Sequence, residues 1–136
     1  MLKLPYGVSN FAKLATEGYY LVDRTSYIAQ LEALPEPYLF FLHPRRFGKS
    51  LFVSMLQCYY GIEFADSFDE LFGSYAIGQN PTPLANQYLV LKLDFSKLNQ
   101  QGCECIFNSF LENVKQDISL FLGAYRDYYT EDDTHY

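Results

Sequence analysis

The chain has no tryptophan, three cysteines and no uninterrupted apolar run near the length of a membrane span. The last of these predicts that none of its helices crosses a bilayer. The opening residues, Met1 to Tyr6, lack a long apolar stretch with a small-residue cleavage site, so no secretory signal is expected. An odd number of cysteines without an export signal points to reduced thiols in a cytoplasmic protein. Their spacing also argues against a metal centre. Cys103 and Cys105 are too close together for the usual zinc pairing, and Cys58, His43 and His135 are not suitably paired. Positive charge is scarce as well: 10 Lys and Arg stand against 16 Asp and Glu, a formal net charge of −6. That balance weighs against direct nucleic-acid binding by this segment, while a local basic loop can still take a small anion.

What is abundant is apolar and aromatic. Of 136 residues 49% are hydrophobic, with 13 Tyr and 12 Phe, enough to bury the core of one domain. Residues 1–37 read as a lead-in. Ser9 or Asn10 is placed to cap a helix through Phe11, Leu14 and Ala15. Tyr19 to Val22 is a short extended piece. Asp23-Arg24-Thr25-Ser26 is suited to cap a helix carrying Tyr27, Ile28, Leu31 and Leu34, which Pro35-Glu36-Pro37 ends. Residues 38–60 read as strand, loop and helix. Tyr38-Leu39-Phe40-Phe41-Leu42 is the continuous apolar run expected of a strand buried on both faces of a parallel sheet. After His43 to Phe47, the residues Leu51, Phe52, Met55, Leu56 and Tyr59 recur at helical spacing up to Gly61.

Ser67-Phe68-Asp69-Glu70 has the pattern of a capping box before a short helical turn that stops near Gly73. Gly78 to Pro83 reads as a loop. Residues 88–95 are the second expected core strand. Residues 105–122 form a helix with Ile106, Phe107, Phe110, Val114, Ile118 and Phe121 on one side, and the acidic tail Thr130 to Thr134 is expected to fray. Strands alternating with helices predict an α/β class. The expected architecture is a partial core of mostly parallel strands flanked by helices, with the 88–95 strand close to the 38–42 strand.

The chemistry concentrates at Gly48-Lys49-Ser50. Between a buried-type strand and an amphipathic helix, these residues fit the end of a phosphate-binding loop, the Walker A motif. Backbone N–H groups wrap the phosphates, and the helix directs its positive N-terminal end at them. Glycine permits the close approach, Lys49 brings mobile charge to the β and γ phosphates, and the Ser50 hydroxyl is a Mg²⁺ ligand. By average composition the bare tripeptide occurs by chance in about one chain of this length in fifteen, so its weight comes from its placement. The full pattern has glycine five residues before Gly48, where this chain has His43 followed by Pro44. Arg45 and Arg46 are suited to phosphate, to a partner's carboxylate or to solvent. Phe47 is expected to pack under the loop. The alternative for the whole stretch is a helix N-terminus with a solvated lysine.

On three stretches the chain resembles the AAA-ATPase-like domain found at the N-terminus of many bacterial proteins, often followed by a PD-(D/E)XK nuclease-like domain. They are Leu4 to Phe11, Tyr20 to Ile28 and Pro44 to Leu51, and the likeness continues through Leu91 to Ser96. The family usually carries lysine at the position of Arg24 and arginine at that of His43. The resemblance implies a P-loop NTPase that binds ATP and Mg²⁺ through Arg45, Arg46, Phe47, Gly48, Lys49, Ser50 and Leu51. It implies a nuclease-like domain or a protein as partner. It also implies that Asp23-Arg24-Thr25 lies near the nucleotide, against the plainer reading of that segment as a helix cap.

Hydrolysis needs an acidic residue at the end of a second apolar strand to organise Mg²⁺. Asp94 stands at such a place, followed by Phe95 instead of glutamate. It is either that acid or the end of a neighbouring strand. In the family it resembles, the hydrolytic strand comes later as an Ile-Asp-Glu-Tyr-like stretch, which these residues lack. The catalytic residues are therefore unassigned. The expectation is ATP binding as part of an AAA-like ATPase, with weak or absent turnover by this chain alone, as an excised piece or a natural short form. The alternative is a non-hydrolysing nucleotide sensor or protein-interaction module associated with a nuclease system.

Overall fold

The computed structural model describes residues 3–42, 48–96, 98 and 102–128. The chain divides into two compact units, Met1–Tyr88 and Leu89–Tyr136.

The first unit is helical. Asn10 caps α1 (Phe11–Thr16), its side chain accepting the Lys13 N–H at 3.1 Å, as the sequence predicts. Helix α2 spans Ser26–Glu32. Helix α3 spans Lys49–Tyr60 and stops at Gly61, again as expected. A 3₁₀ turn over Ile62–Ser67 leads directly into α4 (Phe68–Phe72), and α5 (Ala76–Gln79) follows. The capping-box expectation at Ser67 is half right. A helix begins and ends there, but Ser67 makes no capping hydrogen bond. The chain arrives from the 3₁₀ turn with φ −102° and ψ 7°, not in the extended geometry that turns a cap side chain onto the helix.

Helix α1 packs on α3 and α4, while α5 packs on α2 and α4. The core they enclose contains Phe11, Ile28, Met55, Tyr59, Phe72 and Ile77. Phe11 stacks on Phe72 with ring centroids 4.9 Å apart, and Tyr59 meets Phe72 edge-on at 5.5 Å. The N–H of Phe11, one of the donors a helix start leaves without an internal partner, is accepted inside the core by the Ser54 hydroxyl at 3.0 Å.

The far end of α3 is held by the chain that returns to it. The Asn86 side-chain amide donates to the carbonyls of Cys58 at 3.2 Å and Gly61 at 2.7 Å. The backbone N–H groups of Asn86 and Tyr88 donate to the carbonyls of Tyr59 and Tyr60. The Tyr59 hydroxyl accepts the Thr82 N–H at 2.8 Å and lies 2.7 Å from the Thr82 hydroxyl. Glu32 Oε1 accepts from both Thr82 and Tyr60, each at 2.8 Å. Burial, and then the adjacent Glu32 carboxylate, push the Tyr60 phenol pKa well up, so it stays a donor.

The second unit contains α6 (Cys103–Ala124), two residues longer at each end than the helix expected at 105–122, then a 3₁₀ turn over Arg126–Tyr128. The extended residues from Leu89 are tied to it by side chains. The Val90 N–H donates to the buried Tyr125 hydroxyl at 2.8 Å, and the Asp94 N–H to Asp117 Oδ2 at 3.0 Å. The apolar side of α6 is only partly covered, with Ile106, Phe107, Phe110 and Ile118 exposed.

The α/β expectation of mostly parallel core strands fails. Among the described residues there is no strand, only two isolated parallel bridges, Lys3 with Tyr19 and Gly61 with Tyr88. Neither 38–42 nor 88–95 is a strand. Both runs have strand-type sequence, but a strand exists only when a neighbour supplies its N–H and C=O partners. Instead of being buried on both faces, Tyr38, Phe40 and Leu42 are 91%, 87% and 81% exposed. The tail Thr130 to Thr134 lies outside the described residues.

Phe72→Ala should destabilise the chain by about 3–5 kcal/mol, because it empties the centre of the aromatic core. Phe107→Ala, on an exposed face, should cost no more than about 0.5 kcal/mol. Urea unfolding of the two variants checks the contrast.

Candidate functional site

The Gly48-Lys49-Ser50 turn is where the sequence reading places its site, and the backbone there is specialised. Gly48 has φ +81°, in the left-handed region that costs an L-residue roughly 1–2 kcal/mol. The first internal hydrogen bond of α3 runs from the Phe52 N–H to the Gly48 carbonyl at 2.9 Å. The N–H groups of Lys49, Ser50 and Leu51 therefore precede the helix's own ladder. Among the described residues no side chain caps this end, and its first turn holds no acidic residue. Helix geometry thus leaves a positive terminus with outward N–H donors, flanked by the exposed side chains of Lys49 and Ser50.

Two cavities meet at Gly48. One, of about 600 Å³, lies between α2 and α3 and is lined by Tyr27, Gln30, Leu31 and Phe52 together with Arg24 and Lys49. The other, of about 470 Å³, reaches Phe11, Leu51 and Tyr75, and shares Arg24, Gly48 and Phe52 with the first. The sequence reading missed the first cavity. It assigned Tyr27, Ile28, Leu31 and Leu34 to one helical face, yet Ile28 alone of these is buried. The sequence carries no signal for it, since an apolar stripe of this ordinary width reads the same whether it fills a core or lines a hollow.

The Asp23-Arg24-Thr25 segment is a cap, though not of its own helix. Asp23 Oδ1 accepts the N–H of Thr25 at 2.9 Å and its hydroxyl at 2.6 Å. Asp23 Oδ2 accepts the Ala76 N–H at 2.9 Å, and the Thr25 hydroxyl oxygen accepts the Ile77 N–H at 3.1 Å. Both side chains thus fasten the start of α5, more than fifty residues along the chain. Thr25 is buried, and helix α2 has no side-chain cap. Between the two, Arg24 extends to Gly48, its Nη1 lying 3.7 Å from where a Cβ on that glycine would be.

The remaining predicted residues fare variously. Leu51 is half-buried at the second cavity. Arg45, Arg46 and Phe47, with His43 and Pro44, lie outside the described residues. Asp94 belongs to the second unit, where its Oδ1 accepts the Ser96 N–H at 2.9 Å. Among the described residues no group of three or more His, Cys, Asp or Glu is arranged to hold a metal ion. None of the helices described is long and apolar enough to cross a membrane.

A family model described as "Predicted AAA-ATPase" matches residues 5–135, and the chain belongs to this AAA-ATPase-like family. A curated protein of Azotobacter chroococcum mcd 1, an "Uncharacterized protein in vnfD 5'region", is 47% identical over 55 residues. That match covers 40% of this chain and 10% of the relative, so the chain spans only a small part of that protein's length. No solved structure matches.

Burial by itself raises the Asp23 pKa, but the hydrogen bonds from Thr25 and Ala76 outweigh it and hold the carboxyl below its ordinary value. A depressed carboxyl pKa adds stability that is present above the unfolded value, about 3.9, and is lost as pH falls through the folded one. Thermal melts taken from neutral into acid pH should therefore show a decline that is shallower in Asp23→Asn. Equal slopes in both proteins would exclude this role.

Proposed function

We propose that this chain binds ATP through the Gly48-Lys49-Ser50 turn, as part of a larger AAA-like ATPase. The observation that carries the reading is the start of α3 behind a left-handed glycine, without a side-chain cap among the described residues and with Lys49 and Ser50 as its first two residues. Such a terminus suits an anion: the outward N–H groups donate and the helix dipole adds favourable potential. Membership of a family described as predicted AAA-ATPase is consistent with the same reading.

The residues present fit the nucleotide. In this reading the N–H groups of Lys49, Ser50 and Leu51 hold phosphate oxygens, and the Lys49 ammonium compensates their charge. The cavity between α2 and α3 offers apolar and aromatic walls with one amide, Gln30, which suits a flat heterocycle better than a chain of charges. Mg²⁺ would enter as the metal–nucleotide complex, with Ser50 Oγ as the protein's ligand. When bound, the ion draws charge from the phosphates. The sequence lacks an apolar strand ending in an Asp-Glu pair, so binding without appreciable turnover is proposed for this chain alone. The acidic water-positioning group, and any nuclease-like domain or partner protein, belong to the larger protein in this reading.

Lys49→Ala should weaken Mg·ATP binding roughly tenfold to a hundredfold, the range of a hydrogen bond to a charged group. It should leave the melting temperature without nucleotide nearly unchanged, since an exposed lysine contributes little to the fold. Ser50→Ala should weaken binding with Mg²⁺ present and much less without it. Calorimetric titration of the three proteins, with and without Mg²⁺, checks both. Equal affinity of Lys49→Ala and the unmutated chain would leave only a solvated helix end.

A further inference from the structure

We propose that Arg24 is a second phosphate-binding cation of this site, supplied by the segment ahead of α2 and set in place by the start of α5. The inference rests on the nucleotide reading above and extends it to a residue outside the loop.

Three observations carry it. Arg24 is the residue, together with Gly48 and Phe52, that lines both cavities. With Lys49 it brings two cations to the wall of the larger one, in a chain whose net charge is −6. Its Nη1 stands 3.7 Å from the Cβ position of Gly48, so the guanidinium lies beside the glycine that immediately precedes the proposed phosphate-binding N–H groups. Only a residue without a side chain, in a left-handed turn, presents its backbone so openly there.

The neighbours of Arg24 explain how a long, exposed side chain is kept near that position. Asp23 and Thr25 are tied to each other and to the Ala76 and Ile77 N–H groups, which fixes the backbone on both sides. The entropy lost on contact is then confined to the side chain beyond its Cα. Guanidinium is suited to the task because it stays charged and presents donors in a planar fork that matches two oxygens of one phosphate. The geometry also links the site to α5. The residues on either side of Arg24 hold the first turn of that helix.

The test is Mg·ATP titration of the unmutated chain, Lys49→Ala, Arg24→Ala and Arg24→Lys at low and high salt, with melting temperatures taken without nucleotide. Arg24→Ala should weaken binding roughly tenfold or more, make it less sensitive to salt, and leave the melting temperature unchanged. Arg24→Lys should recover only part of the affinity, since it restores the charge without the planar fork. Loss of affinity in Lys49→Ala with none in Arg24→Ala overturns the assignment of Arg24 and leaves the nucleotide reading standing. A loss with unaltered salt sensitivity, or with a lowered melting temperature, makes Arg24 a cavity wall or a structural prop and also overturns it. Failure of the unmutated chain to bind Mg·ATP overturns the nucleotide reading, and the role of Arg24 with it.

Discussion

The first unit depends on one requirement: α3 must bury its apolar side while its carbonyl end finds hydrogen-bond partners. Tyr59 meets both demands at once. Its ring lies in the core against Phe72, and its hydroxyl holds Thr82. That contact brings residues 82–88 across the end of the helix, where Asn86 and Tyr88 donate to carbonyls of its last turn. Ser54 repeats the logic at a smaller scale, serving the start of α1 from within the same helix.

The two ends of α3 are therefore treated differently. The carboxyl end is enclosed by side chains and returning backbone. The amino end has no side-chain cap among the described residues and opens toward two cavities. Stability is concentrated away from the candidate site, so the site can keep polar groups that a core would exclude. The second unit follows another pattern. A long helix is contacted by an extended segment through Tyr125 and Asp117, and much of its apolar face is left in solvent.

How legible all this was depended on the range of the interaction concerned. The bounds of α1 and α3 are written locally, in Asn10, in the spacing of Leu51 to Tyr59 and in Gly61, and they were read correctly. The loop residues Gly48, Lys49 and Ser50 were also placed correctly, at the start of a helix. The strands were misread because apolar runs report only a propensity, and pairing is decided elsewhere in the chain. Helix α5 was missed for the converse reason. Ala76-Ile77-Gly78-Gln79 has little helical character of its own, and its first donors are held by Asp23 and Thr25, far away in sequence. Those two residues were recognised as capping types, but the helix they serve was not. The α2–α3 cavity was hidden by the same ambiguity, since an apolar stripe looks alike whether it fills a core or lines a hollow.

Asn86 has a φ of +53° although it is not glycine. At such a position an engineer would ordinarily substitute glycine to relax the backbone. Here that exchange would remove the amide that donates to the Cys58 and Gly61 carbonyls, leaving the carbonyl of Gly61 to the Phe64 N–H, and would cost two hydrogen bonds to ease one torsion. Aspartate, which tolerates the same torsion, would set a negative charge against those carbonyl oxygens. The position is thus closed to the residues that its backbone alone would admit, and asparagine is specified by two demands that no other side chain of its size meets together.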